Sequence, residues 1–244
     1  MVFYSQIAEY YHYIFPLSQG QISFILIRSP QSEEMNLLEV GCGIGELSME
    51  LSKYFQKVSG IDLDETMIQK AKDQSQDHFP HLTFNVLNML HLDQLYEPST
   101  LDRIVCFGNT LVHLLKDEDI LRFFEQCRKV LYENGRLMLQ ILNYDQILDH
   151  QIKQLPIIEN DIIRFERTYD FDSDQNLIEF HTKLLIKNTN SSYTNAIPLR
   201  PIRKNKMEEL LSQAGFKRTM FFGSYEQDLF HHDSELLLCE AIKS

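Results

Sequence analysis

LEVGCGIGELSMEL at residues 38–51, followed by VSGIDLDETMIQKAK at residues 58–72, is the stretch on which the fold turns. Asn36–Val40 is a short apolar run that ends in glycines, and residues 46–55 then place Leu47, Leu51 and Tyr54 on one helical face. Lys57–Asp62, KVSGID, reads as a second strand and residues 65–72 as a second helix. Strand, helix, strand, helix with glycines at the first turn implies a parallel sheet built through right-handed crossovers.

Downstream, LTFNVLN (82–88), LDRIVCFG (101–108) and RLMLQILN (136–143) read as further strands, with a long helix over residues 117–131 and Gly135 supplying the turn into the fifth strand. The fourth is apolar from Ile104 to Phe107, as a central strand covered on both faces must be, and its end is expected to carry function. After Asp145 the pattern changes. IIRFERTYDF (162–171) and LIEFHTKLLI (177–186) alternate over a longer span and are joined by DSDQN, which predicts an inserted antiparallel hairpin. A helix over 204–214 stops at Gly215, and RTMFFGSY (218–225) and ELLLCEAIK (235–243) close the chain as strands. Ahead of the core, residues 3–15 space Ile7, Tyr10, Tyr11 and Ile14 as a helix would, Pro16 and Gly20 interrupt, and a second helix is expected over 22–27.

The formal charge of −12, from 35 acidic and 23 basic side chains, repels phosphate backbones and anionic lipid, so neither nucleic acid nor a membrane surface is expected as partner. No run approaches the ~20 apolar residues of a bilayer span, and Met1 is not followed by a signal-like segment, so a cytoplasmic location is expected. Cys42, Cys106, Cys127 and Cys239 lie far apart and read as buried thiols. His231, His232 and Asp233 have no second ligand group at metal-site spacing, so no metal is expected.

Gly41, Gly43 and Gly45 between a strand and a helix let the backbone turn sharply and approach a ligand. A dinucleotide fingerprint counted from Gly41 would put Glu46 where its third small residue belongs, and no Gly-Lys-Ser/Thr follows, so a nicotinamide-dependent oxidoreductase is the disfavoured rival and a Walker loop is excluded. Asp62, 21 positions after Gly41 at a strand end, is placed to accept hydrogen bonds from both hydroxyls of a ribose. Its other reading is an acid at a helix N-terminus, a role that Asp64 fills better.

These two segments resemble the first two motifs of class I S-adenosylmethionine-dependent methyltransferases, and the resemblance extends over most of residues 37–145. It implies an α/β, Rossmann-like fold: a seven-stranded, mostly parallel sheet with helices on both faces and an antiparallel hairpin insertion. The expected organisation is one methyltransferase domain over 1–244, with an N-terminal helical cap at 1–30 and the antiparallel insertion at 155–200 as a substrate lid. The resemblance sets Glu39, Gly41, Cys42, Gly43 and Gly45 against the methionine part of the cofactor, Asp62 at the ribose, and Leu63 and Met67 at the adenine faces. Met67 reads equally well as a core residue. FNVLNMLHL (84–92) is similar to the third motif, with Asn88 in place of the common aspartate at the exocyclic amine and Met89 as its backbone neighbour.

Methyl transfer from a sulfonium needs alignment and exclusion of water more than it needs a base. At the end of the fourth strand Phe107 is expected beside the cofactor and Asn109 beside the acceptor, while His113 reads either as a base or as a half-buried structural histidine. LNYDQIL (142–148) resembles the glycine N-methyltransferase branch, which implies that Asn143, with Tyr144, faces substrate; the alternative is that Asn143 and Asp145 cap a turn. Tyr10 and Tyr11 are expected over the site, Tyr11 with a catalytic role, and Arg164, Arg167, Arg200 and Arg203 flank it without a ground for choosing among them. The expected reaction transfers a methyl group from S-adenosylmethionine to nitrogen or oxygen of a small molecule, releasing S-adenosylhomocysteine. The non-enzymatic alternative is a cofactor-binding protein without turnover.

Overall fold

The computed structural model describes residues 7–244. From the glycine-loop segment outward the elements are β1 (Asn36–Val40), α3 (Glu46–Leu51), β2 (Lys57–Asp62), α4 (Glu65–Ser75), β3 (Leu82–Val86), β4 (Leu101–Cys106), α5 (Asp117–Val130) and β5 (Leu131–Leu142). They are preceded by α1 (Tyr11–Ile14) and α2 (Gln19–Ile27). After β5 come α6 (Tyr144–Asp149), β6 (Ile158–Glu159), β7 (Ile163–Asp172), β8 (Leu177–Ile186), β9 (Ser191–Leu199), α7 (Lys204–Gln213), β10 (Arg218–Phe222) and β11 (Leu236–Ile242).

Seven strands form one sheet in the order β10-β11-β5-β4-β1-β2-β3. β1 pairs in parallel with β2 and β4, and β5 with β4, while β11 runs antiparallel to both β5 and β10. The chain therefore switches direction between β1 and β4, and the carboxyl ends of those two strands bound a crevice in which such sheets bind ligands. β4 shows how the sheet is buried: Ile104 and Cys106 pack on the face that α5 and α7 cover, Val105 and Phe107 on the face that α2 and α3 cover. In α5, Ile120, Phe123, Phe124, Cys127 and Val130 recur at helical spacing and are buried. Asp117, Glu118 and Asp119 in its first turn and Arg128 and Lys129 in its last complement the helix dipole.

Several expectations change in detail. The hairpin is part of a four-stranded antiparallel sheet, β6-β7-β8-β9, called the lid sheet after the role expected of it. The alternation in SSYTNAIPL is too polar to stand out, and Pro198 argues against a central strand; β9 accommodates it by lying at the edge. The residue in the left-handed region before the long part of β5 is Asn134, at φ +64°, and not Gly135. Gly135 is needed for proximity, since a Cβ there would sit 2.7 Å from the Tyr132 carbonyl oxygen. The helix expected over 46–55 ends at Leu51, and that expected over 22–27 starts earlier, where Ser18 and Gln21 form a capping box. Of the N-terminal helix expected over 3–15, residues 1–6 lie outside the described residues and α1 covers Tyr11–Ile14. Ile7 and Ile14 pack against Ile163, Phe165, Leu184 and Ile186, so the N-terminal segment and the lid sheet share an apolar cluster. Among the described residues no helix is long and apolar enough to cross a membrane.

Candidate active site

The loop after β1 is held to β2 by two hydrogen bonds, the Gly41 and Cys42 amides donating to the Ile61 carbonyl at 2.8 and 3.0 Å. Gly41 has φ +74°, and a Cβ there would lie 2.4 Å from Thr110 Cγ2, so only glycine lets the loop meet the turn that follows β4. Asp62 at the end of β2 closes the loop from the other side. One of its carboxylate oxygens accepts from the Gly43 amide at 3.0 Å and the other from the Asp64 amide at 2.9 Å. Asp64 caps α4 by accepting from the Thr66 and Met67 amides, so the helix-capping role belongs to Asp64 and leaves Asp62 facing a cavity. Burial raises the pKa of Asp62 and the amide hydrogen bonds oppose that rise. Each of its oxygens keeps a lone pair for a further donor.

Two cavities meet at this edge of the sheet. The smaller, about 250 Å³, is lined by Gly41, Gly43, Asp62, Leu63, Met67, Asn88 and Met89 among others. The larger, about 400 Å³, lies between the glycine loop, the ends of β4 and β5, and the lid sheet. Glu39, Cys42, Phe107, Asn109, Gln140, Tyr169 and Phe180 are among the residues on its walls. Tyr11, Gly41, Gly108, Thr110 and His113 line both and mark the junction. The Tyr11 ring lies against the loop, where a Cβ on Gly43 would be 3.3 Å from Tyr11 Cζ.

Electrostatics divide the junction. Burial pushes the Glu39 carboxyl up to about 8, opposed by the hydrogen bond that Ser48 donates to it at 2.5 Å. Burial lowers the His113 imidazole to about 4, so it is neutral at pH 7. Glu39 and His113 both line the larger cavity, and among the described residues Glu39 has no cationic partner; such a buried acid suits a ligand that brings its own positive charge.

Some residues are placed otherwise than expected. Asn143 is fully buried; its side-chain oxygen caps α6 by accepting from the Asp145 and Gln146 amides, and its nitrogen donates to the His232 and Ser234 carbonyls at 2.7 and 2.8 Å. It lines neither cavity, so capping is its role and the substrate contact is withdrawn. Tyr144 is also fully buried and engages Asn109, whose Nδ2 lies 3.0 Å from the Tyr144 hydroxyl. Tyr10 packs in the N-terminal apolar cluster and only Tyr11 reaches the cavities. Gly45 lines neither cavity; with φ +81°, it makes room for Phe84, whose Cζ would lie 2.5 Å from a Cβ there. Met67 is 1% exposed, so its place is in the core at the base of the smaller cavity. The Asn88 oxygen accepts from the Leu90 amide, which leaves its NH2 as the group to offer a ligand.

Gln140, Thr110, Tyr169, Phe180 and Tyr225 also line the larger cavity and were not anticipated. Gln140 accepts from the Gly108 amide at 2.8 Å while the Asn109 side chain accepts from the Leu142 amide at 3.1 Å, which bolts the β4 turn to β5. A glutamine inside the apolar run RLMLQIL was the available signal. Because Asn143 both caps α6 and ties it to the loop before β11, Asn143→Ala is expected to lower unfolding free energy by roughly 2–4 kcal/mol. Urea denaturation reads the loss, and affinity for S-adenosylhomocysteine should stay unchanged.

The comparisons agree with this geometry. Residues 37–135 match the family model described as "Methyltransferase domain". A methyltransferase from Geobacillus is 29% identical over 125 residues, 51% of this chain and 49% of that protein. A glycine/sarcosine N-methyltransferase from Aphanothece halophytica is 26% identical over 228 residues, 88% of this chain and 78% of that protein. A phosphoethanolamine N-methyltransferase from Zea mays is 30% identical over 132 residues, 54% of this chain and 26% of that protein, so the chain spans half or less of two of these three relatives. The fold matches that of an S-adenosylmethionine-dependent methyltransferase from Clostridium acetobutylicum with a TM-score of 0.82 over 99% of both chains, at 14% identity. The fold is that of class I, Rossmann-like methyltransferases. Residues 37–135 match a methyltransferase domain, and the relatives named are methyltransferases, which supports an S-adenosylmethionine-dependent methyltransferase.

The residues present fit that cofactor: a glycine cradle that admits no Cβ at Gly41, an acceptor carboxylate at Asp62, and at Glu39 a buried acid with no cationic partner among the described residues.

Proposed function

We propose that the chain methylates the amine nitrogen of a small molecule. The observation that carries this reading is the meeting of two cavities at Tyr11, Thr110 and His113, one flanked by Asp62 and the other enclosed by largely apolar and aromatic walls of small-molecule size. The relatives named for glycine, sarcosine and phosphoethanolamine support nitrogen as the accepting atom.

When bound, S-adenosylmethionine supplies a methyl group already activated on a sulfonium. The chain's own residues would hold and orient. Asp62, Gly41 and Gly43 would fix the nucleoside side, and Glu39 would face positive charge from the larger cavity. Tyr11 and Phe107 would help exclude water. His113, neutral at pH 7, would accept a hydrogen bond from the incoming amine and aim its lone pair across the junction. A group with a pKa of about 4 is too weak a base to keep the proton, so the role is orientation. The nitrogen gains the methyl carbon, the carbon–sulfur bond breaks, and the proton leaves the nitrogen for solvent.

The test is transfer of labelled methyl from S-adenosylmethionine by the purified protein to a set of small primary and secondary amines, alongside hydroxyl acceptors, protein and nucleic acid. Label in a small amine with S-adenosylhomocysteine formed in equal amount is the expected result. Label confined to hydroxyl acceptors or macromolecules contradicts it.

A further inference from the structure

The inward face of the lid sheet is interrupted by one polar row. Along β7 the inward positions are Ile163, Phe165, Arg167, Tyr169 and Phe171, and along β8 they are Ile186, Leu184, Thr182, Phe180 and Ile178. On β9 the series continues through Tyr193, Asn195, Ile197 and Leu199. The register places Arg167 opposite Thr182 and Thr182 opposite Asn195, so the three polar side chains stand in line across the sheet. Neighbouring Cβ atoms in such a line are about 5 Å apart.

Each of the three holds a buried atom without a hydrogen-bond partner: Arg167 Nε, Thr182 Oγ1 and Asn195 Nδ2. Thr182 is only 4% exposed, so solvent does not satisfy it. Two of these atoms are N–H donors and the third is a hydroxyl able to donate, a set that suits an anion. Buried polar groups are seldom left unmatched, which makes three in a row a sign of a missing partner.

Charge singles out Arg167. Arg164 pairs with Glu159 and Glu166, Arg200 with Asp117, and Arg203 with Asp145 and Asp149. Among the described residues Arg167 has no carboxylate partner; its Nη2 donates to the Pro156 carbonyl at 2.8 Å. Among the described residues it is the only lysine or arginine on the wall of the larger cavity, which otherwise carries the acids Glu39 and Glu46. Burial lowers its pKa, the direction a neighbouring anion would reverse.

We infer that Arg167, on the wall of the larger cavity with Thr182 and Asn195 in line behind it across the sheet, seats an anionic group of the methyl acceptor, so that the substrate is an amine carrying a carboxylate or a phosphate. This rests on the methyltransferase reading and specifies its acceptor. The lid sheet would then select substrate by charge while Leu155, Tyr169, Phe180 and Leu199 beside it hold an apolar body.

The experiment titrates two matched pairs into protein saturated with S-adenosylhomocysteine, by calorimetry: phenylalanine against phenethylamine, and phosphoethanolamine against ethanolamine. In at least one pair the member that carries the carboxylate or phosphate should bind about tenfold or more tightly than the amine that lacks it, and the pair that responds tells carboxylate from phosphate. Arg167→Gln should erase that preference, and Thr182→Val should reduce it severalfold. S-adenosylhomocysteine affinity should be unmoved in both variants. Equal binding within both pairs, a preference that survives Arg167→Gln, or no binding below about 10 mM of either probe that carries the anionic group overturns the proposal. If the wild-type protein fails to bind S-adenosylhomocysteine, the methyltransferase reading falls. The same titrations on cofactor-free protein then decide the anion seat alone.

Discussion

Glu39→Gln should flatten the pH dependence of stability of the cofactor-free protein, and the effect should be the largest of any single polar substitution in the site. The Glu39 carboxyl sits beside Ser48 with 6% of its surface exposed, and burial raises it from 4.5 to about 8 in the folded chain. The unfolded chain therefore releases this proton at lower pH than the folded chain does. Below about pH 4.5 both states hold the proton and the contribution to stability is complete; it declines as pH rises and is lost by about pH 8. At about 1.4 kcal/mol per pKa unit the full span amounts to on the order of 4–5 kcal/mol. Glutamine imitates the protonated acid and has nothing to lose. Urea unfolding at pH 5 and pH 8 should show the wild-type chain falling relative to Glu39→Gln over that window. His113 works in the opposite sense, since its depressed pKa of about 4 costs stability as pH falls below 6.5. Comparison with the Glu39 variant at the same pH cancels that contribution. A constant difference between the two proteins would mean that Glu39 titrates as a solvated acid.

The second large effect is expected on binding. Asp62→Ala should weaken S-adenosylhomocysteine by roughly 1–3 kcal/mol, about fivefold to 150-fold, because it removes a charged acceptor facing the smaller cavity. The same change frees the Gly43 and Asp64 amides that Asp62 holds at 3.0 and 2.9 Å, so the loop loosens as the contact is lost. Asp62→Asn keeps the shape and part of the hydrogen bonding, and should fall between the two. Calorimetric titration of the three proteins separates the contributions. Equal affinity in all three would remove Asp62 from the site.

What the sequence made legible follows from how local each feature is. The order strand, glycine loop, helix, strand over residues 36–72 is set by short-range periodicity, by glycines that tolerate positive φ, and by an acid at a strand end. Asp62 and the loop could be placed from spacing alone because β1 and β2 are neighbours in the sheet. Asn143 shows where that reasoning stops. The residue type suits both a substrate contact and a helix cap, and only the positions of the His232 and Ser234 carbonyls, some ninety residues away, decide for the cap. The larger cavity was harder again, since its walls come from the β4 turn, β5, the lid sheet and Tyr225. Its clearest mark was present in the alternation nonetheless: Arg167 stands at an inward position of IRFERTYDF, where the pattern calls for an apolar side chain. Reading that departure required knowing which parity faces inward, and β9, which completes the row at Asn195, was hidden by its polarity and by Pro198.

The central claim is that the edge formed by the glycine loop and Asp62 binds the methyl donor. Titrating S-adenosylhomocysteine and NADH separately into the wild-type protein by calorimetry tests it most directly. One equivalent of S-adenosylhomocysteine bound at micromolar affinity, with no heat from NADH, is the predicted result. NADH binding in its place, or no saturable binding of S-adenosylhomocysteine, would contradict it.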